Sequence, residues 1–239
     1  MYNYVDSKNT IENILSSKSD ITKKSKIPAS DGEFTYENGV KVWVGALFVD
    51  IVDSAKIFKN ANVDTAKIMR CFCSEIISIL KDNSNYYEIG IRGDCVYAIY
   101  NAQTQDDLKR IFIDAFTINT FMKMLNALLK KYGYETITAG IGLGCDEELV
   151  VKAGKSGSGI NDKIWIGKAL VDAAHLADTA NRQYIEPIAM SNLFYSNVID
   201  LLVEDNPKYN EWIKRSNTYT FYHCNIISTE FNDWIKNNI

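Results

Sequence analysis

Residues 42–51, VWVGALFVDI, predict the central strand of the fold. The stretch is rich in β-branched and other apolar residues, as expected of a strand covered on both faces, and it carries one acid, Asp50, near its carboxyl end. Asp53 and Ser54 come after Val52, and both residue types can cap the start of a helix. We therefore expect a buried strand, an acid near its end, and then a helix.

Residues 86–100 predict a β-hairpin next in the sheet. Two β-like runs, Tyr86–Arg92 and Cys95–Tyr100, are separated only by Gly93 and Asp94. A Gly-Asp pair between two such runs is typical of a two-residue hairpin turn. Asp94 is therefore expected at the tip of the hairpin.

Periodicity and turn residues outline the rest of the chain. Helices are expected at residues 10–17, 63–80, 107–132, 167–179, 191–198 and 229–237. Further strands are expected at residues 135–143 and 148–151, as a pair, and at 163–166, 184–188 and 219–225. This mixed order with hairpins indicates an α+β fold and not a doubly wound parallel sheet. Residues 1–33 are interpreted as an N-terminal arm, and residues 34–239 as the main domain.

The composition excludes several classes of protein. The chain has 239 residues, a formal net charge of -4, 46% hydrophobic and 23% charged residues, which are the values of an ordinary globular protein. The mild acidity argues against nucleic-acid binding, and no apolar run is long enough to span a membrane. The N-terminus lacks the pattern of a signal peptide. The odd number of cysteines, five, indicates reduced thiols in a cytoplasmic protein. The presence of only two histidines argues against a zinc site.

Asp50 and Asp94 are the first candidates for chemistry. Burying a lone carboxylate among apolar residues is costly, so each of them needs a partner. Mg²⁺ and Mn²⁺ prefer oxygen ligands and are often held by two carboxylates together with substrate phosphates. Taken singly, Asp50 could cap the following helix and Asp94 could be an ordinary turn residue. Taken together on adjacent strands, they favour a divalent metal site, and free N–H groups at the helix start near Ser54 could bind an anion.

Four segments together resemble the class III nucleotidyl cyclases. They are FVDIVDS at 48–54, IRGDCVYAIY at 91–100, AGIGLGCDEELVVKAG at 139–154 and NDKIWIGKALVDAAHLA at 161–177. A fifth segment, IPASDGEFTYENGV at 27–40, resembles the bacterial branch that contains the Pycsar anti-phage pyrimidine (uridylate) cyclases. The resemblance covers about residues 27–190 and implies a ferredoxin-like catalytic domain with a core of order β-α-α-β-β-α-β. It also implies a head-to-tail homodimer with active sites at the subunit interface.

The resemblance assigns residues to the metal and to the triphosphate. Asp50, the carbonyl of Ile51 and Asp94 would hold two Mn²⁺ or Mg²⁺ ions between the protein and the nucleotide. The ribose 3′-oxygen would attack the α-phosphate, and pyrophosphate would leave. The backbone of four consecutive residues would meet the triphosphate: Val52, Asp53, Ser54 and Ala55.

Departures from the family pattern point to a pyrimidine base. Purine cyclases carry a base-reading lysine four residues before the Asp of the hairpin, and that position is Gly90 here. Their adenine-reading acid or polar residue before the helix glycine is replaced by an apolar run at residues 164–166. Arg92 is a candidate donor to a base carbonyl or to phosphate, and is otherwise a solvated strand residue. Trp165 could stack on a base or could simply pack in the core.

A second departure concerns the residues that stabilise the transition state. The asparagine and the arginine of the family fall on Val171 and His175. His175 is a cation only when it is protonated, and its alternative role is structural. We expect His175 and Lys168 to be the catalytic residues. The nearby side chains that could substitute for the missing pair are Lys168, Asp172, Asn181 and Arg182.

The sequence therefore predicts an enzyme that converts UTP to 3′,5′-cyclic UMP and pyrophosphate. The resemblance implies that this second messenger acts in anti-phage defence, through a separate effector that the cyclic nucleotide activates. One alternative is the same chemistry on CTP, which yields cyclic CMP. Another is a catalytically weak nucleotide-binding dimer that regulates a partner. Adenylate cyclase is the third, and Gly90 and Ile164 argue against it.

Overall fold

The computed structural model describes residues 1–59, 62–217 and 220–239, and these residues form two compact units. The smaller unit consists of Met1–Val42 and Glu148–Ile166, and the larger unit consists of Trp43–Glu147 and Gly167–Ile239. Two long strands contribute residues to both units. The assignment of residues 1–33 to an arm and of residues 34–239 to a catalytic domain stays a prediction.

Helices and strands alternate along the described residues. The α-helices are α1 (Tyr4–Ser16), α2 (Ser54–Phe58), α3 (Val63–Asp82), α4 (Gln105–Lys131), α5 (Ala169–Thr179), α6 (Asn192–Asp205), α7 (Tyr209–Trp212) and α8 (Thr229–Asn238). The strands are β1 (Asp20–Lys23), β2 (Asn38–Ile51), β3 (Tyr86–Arg92), β4 (Cys95–Asn101), β5 (Ala139–Gly154), β6 (Asn161–Ile166), β7 (Ile188–Ser191), β8 (Lys214–Arg215) and β9 (Phe221–Cys224). A short 3-10 helix covers Asp31–Glu33. None of the helices in the described ranges is both long and apolar enough to cross a membrane.

The strands form a mixed sheet in the order β3-β4-β2-β5-β7-β9-β8. β4 is antiparallel to both β2 and β3, whereas β7 is parallel to β5. In the smaller unit, β1 pairs with the first residues of β2, and β6 pairs with the last residues of β5. A mixed sheet that contains hairpins confirms the predicted α+β class.

Alternation along β2 gives this strand two different faces near its end. Val49 and Ile51 are buried in the main core, to which α3 and α4 also contribute. Phe48 and Asp50 alternate with them and are only partly buried, because they lie on the opposite face. The helices therefore cover one face of the strand and leave the acid at the margin of the core.

A row of glycines in β5 lets α5 pack directly on the strand. A Cβ atom added at Gly142 would lie 2.0 Å from the carbonyl oxygen of Ala173 in α5. Added Cβ atoms at Gly140 and Gly144 would each lie 2.2 Å from a carbonyl oxygen of the segment 169–177. Such distances exclude any side chain, so the sequence AGIGLG fixes the position of α5 by close backbone contact.

Most predicted elements are confirmed, with shifted ends. The hairpin has its two-residue turn at Gly93 and Asp94, and the long predicted helices are present as α3 and α4. The N-terminal helix begins at Tyr4 and not at Thr10, because the Asn3 side chain accepts hydrogen bonds from the first free N–H groups. The last strand is β9; Tyr219, which was predicted to begin it, lies outside the described residues.

Two strand predictions were wrong. Residues 135–143 and 148–151 do not form a pair, because one continuous strand, β5, covers Ala139–Gly154 and includes the residues between the two predicted strands. Glu148 is fully buried within it, so an acid here does not mark a turn. The strand predicted at 184–188 lies instead at β7, because left-handed residues Asn181 and Gln183 hold the preceding segment in turns.

Candidate active site

Asp50 and Asp94 lie close enough on the larger unit for their charges to interact. Asp50 is the penultimate residue of β2, and Asp94 is the second residue of the turn between β3 and β4. Gly93 takes the positive φ of 63° that this turn needs at its first position. Burial raises the pKa of Asp50, and the charge of Asp94 raises it further. The structure thus brings together the two predicted metal-binding carboxylates.

The charges of Asp50 and Asp94 also affect the thiol of Cys95. Burial raises its pKa to about 12, and the charges of Asp50 and Asp94 add to the increase. Two carboxylates that repel each other in this way are a fit for a divalent cation, since the cation would remove the repulsion. Ile51, whose carbonyl is the third predicted ligand, is buried at the end of the strand. All three donors are hard oxygen atoms, which suit Mg²⁺ or Mn²⁺.

The protein alone supplies few ligands at this place. Within residues 1–59, 62–217 and 220–239, no group of three or more His, Cys, Asp or Glu side chains is arranged to hold a metal ion. A site of two carboxylates and a carbonyl therefore depends on further oxygen atoms from a ligand. Phosphate groups of a nucleotide are a suitable source, because Mg²⁺ sites commonly combine one or two carboxylates with substrate phosphates.

Arg182 is the protein's own partner of Asp50. Its Nη2 atom lies 3.2 Å from Oδ2 of Asp50 and 3.3 Å from Oδ1 of Asp178. Its Nη1 atom donates hydrogen bonds to the carbonyl oxygens of Ala177, at 3.1 Å, and Ala180, at 3.3 Å. Sequence reasoning considered Arg182 only as a substitute for the missing transition-state pair. The contact with Asp50 joins residues 132 positions apart, so no local pattern could have revealed it.

The segment after β2 carries the residues predicted to meet the triphosphate. Asp53 has a left-handed backbone, with φ 56° and ψ 33°, and its carboxylate pairs with Lys56 at 2.6 Å and does not cap the helix. Ser54 begins α2, which is only five residues long, so its dipole is small. The N–H of Val52 already donates to the carbonyl of Thr138 at 2.8 Å. A role for Val52, Asp53, Ser54 and Ala55 toward phosphate stays a prediction.

Gly90 is covered by an aromatic ring from the neighbouring strand. A Cβ atom at Gly90 would lie 2.5 Å from the ring of Tyr97, its cross-strand partner. The Tyr97 ring stacks on Phe48, with centroids 5.3 Å apart, and its hydroxyl donates to Glu88 at 2.8 Å. A side chain at position 90, such as the lysine of purine cyclases, would therefore require the Tyr97 ring to move. Arg92 is exposed at the end of β3, beside the turn that holds Asp94.

Lys168 and His175 line one cavity on the larger unit. The cavity has a volume of about 920 Å³, and α5 supplies much of its wall, including Val171 and Asp172. Burial raises the pKa of Asp172, and the positive charge of Lys168 opposes that increase. Val171 is half-exposed, so an apolar side chain stands on the surface where the family has its asparagine. The structure therefore brings the two predicted catalytic residues onto the same wall.

Trp165 belongs to the smaller unit. It is on β6, opposite Val150 of β5, and it is partly buried. Its neighbours Ile164 and Ile166 are exposed. The predicted contact of Trp165 with a base stays a prediction.

Comparison with known proteins finds relatives that match nearly the whole chain. No protein-family model matches the sequence. A uridylate cyclase of Treponema porcinum is 40% identical over 241 residues, which cover 98% of this chain and 81% of the relative. A uridylate cyclase of Gulbenkiania mobilis is 27% identical over 251 residues, which cover 99% of this chain and 97% of the relative.

A solved structure shares the fold. The crystal structure of the guanylyl cyclase Cya2 superimposes with a TM-score of 0.60 and 13% identity, over 81% of this chain and 97% of that chain. At this identity the likeness concerns the fold alone. It confirms the predicted α+β core of a class III cyclase.

Proposed function

The chain belongs to the uridylate cyclase family, and from this premise we propose that it converts UTP into 3′,5′-cyclic UMP and pyrophosphate. The observation that carries the proposal is the pair of carboxylates, Asp50 and Asp94, at the margin of the core. Their charges act on each other and on Cys95. A site with this charge suits a ligand that brings divalent cations with it, as a nucleoside triphosphate does.

The reaction is an internal phosphoryl transfer. The ribose 3′-oxygen forms a bond to the α-phosphorus, and the bond from that phosphorus to the oxygen bridging to the β-phosphate breaks. The 3′-hydroxyl loses its proton to water, and pyrophosphate leaves with the electron pair of the broken bond. The task of the protein is to hold the two reacting atoms in line and to balance the charge that grows on the leaving oxygens.

Asp50, Asp94 and the carbonyl of Ile51 would hold the divalent ions, Mn²⁺ or Mg²⁺, two in each site. Bound there, the ions would supply positive charge that activates the 3′-oxygen and neutralises the leaving pyrophosphate. Backbone N–H groups of residues 53–55 would orient the triphosphate. Lys168 and His175 would add positive charge to the transition state from the wall that α5 forms.

The base that we propose is uracil. Gly90 stands where a purine cyclase has its lysine, and a side chain there would require the Tyr97 ring to move. The loss of that purine-reading lysine supports a pyrimidine base. Arg92 would donate to a carbonyl oxygen of the base or to a phosphate, and Trp165 would stack on the base. Cytosine differs from uracil at one exocyclic group, so CTP is the first alternative substrate.

The active unit that we propose is a head-to-tail homodimer in the cytoplasm. Its product would activate a separate effector during anti-phage defence. The dimer is open to a direct check, because a site shared between subunits loses activity when dilution separates them. A specific rate that stays constant on dilution, in a protein shown to be monomeric, would rule out a shared site.

The deciding experiment is a set of four incubations with ATP, GTP, CTP and UTP in Mn²⁺, with the products identified by mass spectrometry. We expect cyclic UMP from UTP. Cyclic CMP would keep the mechanism and change the substrate. An absence of any cyclic product, with metal-dependent nucleotide binding retained, would overturn the enzyme and favour the regulatory nucleotide-binding dimer. That second candidate has one observation in its favour, which is the exposed Val171 in place of an asparagine.

A further inference from the structure

Arg182 has two different sets of partners on its two terminal nitrogen atoms. Nη1 is held by the carbonyl oxygens of Ala177 and Ala180, which are backbone groups at the end of α5. Nη2 is shared between the carboxylates of Asp50 and Asp178. The Asp178 side chain is 79% exposed, whereas that of Asp50 is 22% exposed. The guanidinium is therefore anchored on one side, while its other side pairs with a carboxylate assigned to metal binding.

The backbone around Arg182 is bent in an unusual way. The residues on either side of it, Asn181 and Gln183, have φ angles of 58° and 53°, which residues other than glycine seldom adopt. The Asn181 side chain donates to the carbonyl of Ala139 at 2.9 Å, and its N–H donates to the carbonyl of Glu186 at 3.1 Å. Surrounding hydrogen bonds thus hold the strained turn in place. Strain of this kind is concentrated at functional sites, and here it directs one arginine toward Asp50.

A divalent cation and Arg182 compete for the same carboxylate. A cation held by Asp50 would lie near a guanidinium that is 3.2 Å from that group, and the two positive charges would repel each other. The released Nη2 would keep only the exposed carboxylate of Asp178 and could donate to a second, less solvated partner. Phosphate oxygens are suitable acceptors, because the planar fork of arginine matches the geometry of a phosphate.

We propose that Arg182 is a substrate-binding residue that exchanges partners, pairing with Asp50 in the nucleotide-free protein and donating to the terminal phosphates of the bound triphosphate. The proposal rests on the proposed function, because it requires that Asp50 binds metal and that the ligand is a nucleoside triphosphate. Nη1 keeps its hydrogen bonds to the end of α5 throughout. The exchange therefore concerns the partners of Nη2 alone.

Removing Arg182 has opposite effects on the two ligands. In Arg182→Gln, Asp50 loses its competing counter-ion, so Mn²⁺ added without nucleotide should bind several-fold more tightly. The triphosphate loses a charge-assisted hydrogen bond, so its affinity should fall about tenfold or more. A residue that only supports the fold would weaken both ligands together or would affect neither.

The experiment measures both affinities on the full chain. Free Mn²⁺ is followed by electron paramagnetic resonance without nucleotide, and 3′-deoxy-UTP, which cannot cyclise, is titrated by calorimetry in Mn²⁺. Arg110→Gln on the exposed side of α4 is the matched control and should change neither value. Arg182→Lys keeps the charge but not the fork, so we expect Mn²⁺ affinity near that of the wild type and an intermediate nucleotide affinity. If Arg182→Gln does not fold, Arg182→Lys alone provides the test.

The outcomes separate this proposal from the proposed function. Unchanged affinities in Arg182→Gln, or a fall in both, would overturn the partner exchange even if the wild-type protein produces cyclic UMP. Tighter Mn²⁺ binding together with weaker 3′-deoxy-UTP binding would establish the exchange even if the wild-type protein produced no cyclic nucleotide. Tighter Mn²⁺ binding with unchanged nucleotide affinity would also overturn it, because Arg182 would then be only a counter-ion.

Discussion

Gly142→Ala tests whether close backbone packing positions α5. The new Cβ would lie 2.0 Å from the Ala173 carbonyl oxygen and 2.4 Å from the Ala177 nitrogen, both backbone atoms of α5 that cannot rotate away. Real Cβ atoms essentially never approach closer than 3.0 Å, so α5 and β5 must separate by about 1 Å. We expect the variant to lose about 1–3 kcal/mol of unfolding free energy, which is the usual cost of overpacking a core.

The same displacement should lower the catalytic rate. α5 carries His175, and Lys168 lies directly before it, so a shift of about 1 Å moves both groups relative to the substrate. Misplacement of that size costs on the order of 10²-fold in rate. Stability is measured by urea unfolding, and turnover is measured as cyclic UMP formation at saturating UTP.

Gly32→Ala is the matched control for this prediction. A Cβ at Gly32 would meet only Ser30 Oγ at 3.4 Å, an ordinary contact, and Gly32 has no left-handed backbone. We expect its stability and turnover to equal those of the wild type. If Gly142→Ala matched Gly32→Ala in both measurements, α5 would not depend on the glycine row for its position.

Three further predictions concern single side chains. Asp50→Ala and Asp94→Ala should each abolish cyclic UMP formation. The control Asp233→Asn removes an exposed carboxylate on α8 and should leave this activity unchanged. Activity retained in both alanine variants would exclude the two-carboxylate metal site. His175→Ala should lower kcat about 10²-fold with little change in KM, and an unchanged kcat would make the residue structural. Burial raises the pKa of Asp114 to about 7, so the folded state binds an extra proton between about pH 4 and 7, and stability falls as the pH rises through that window. Asp114→Asn should remove this loss, at most about 4 kcal/mol, in urea unfolding at several pH values; an unchanged pH dependence would show that other groups cause it.

Local patterns in the sequence were sufficient for the two metal-binding candidates. The prediction of β2 and that of the Gly-Asp turn after β3 each depend on a short stretch of sequence, and both elements form as predicted. Alternation along β2 also separates Asp50 from the core-facing Val49. These are the features that neighbouring residues decide, and the side-chain period of a strand is enough to predict them.

Features that depend on distant contacts could not be predicted in the same way. The pairing of Arg182 with Asp50 depends on how α5 ends over the sheet, and the row of glycines in β5 has a meaning only once α5 lies against it. Residues 135–143 and 148–151 were predicted as two paired strands, whereas β5 is continuous through the acids between them, whose side chains are accommodated by tertiary packing. The position of the Tyr97 ring over Gly90 could not be predicted either, because it depends on the pairing register of β3 and β4.

The charges around Arg182 lead to a coupling between metal and nucleotide. In the nucleotide-free protein, Asp50 is already neutralised in part by Arg182, so a metal ion that binds alone must displace a positive charge that keeps only the exposed Asp178 as its partner. A metal that arrives with a triphosphate supplies both the cation for Asp50 and the acceptor for Arg182. Each ligand should therefore raise the affinity of the other, and linkage requires that the two factors be equal. In Arg182→Gln the cost of displacing the guanidinium is gone, so this coupling should shrink, and an equal or larger coupling in the variant would show that it arises from the phosphate–metal contact alone.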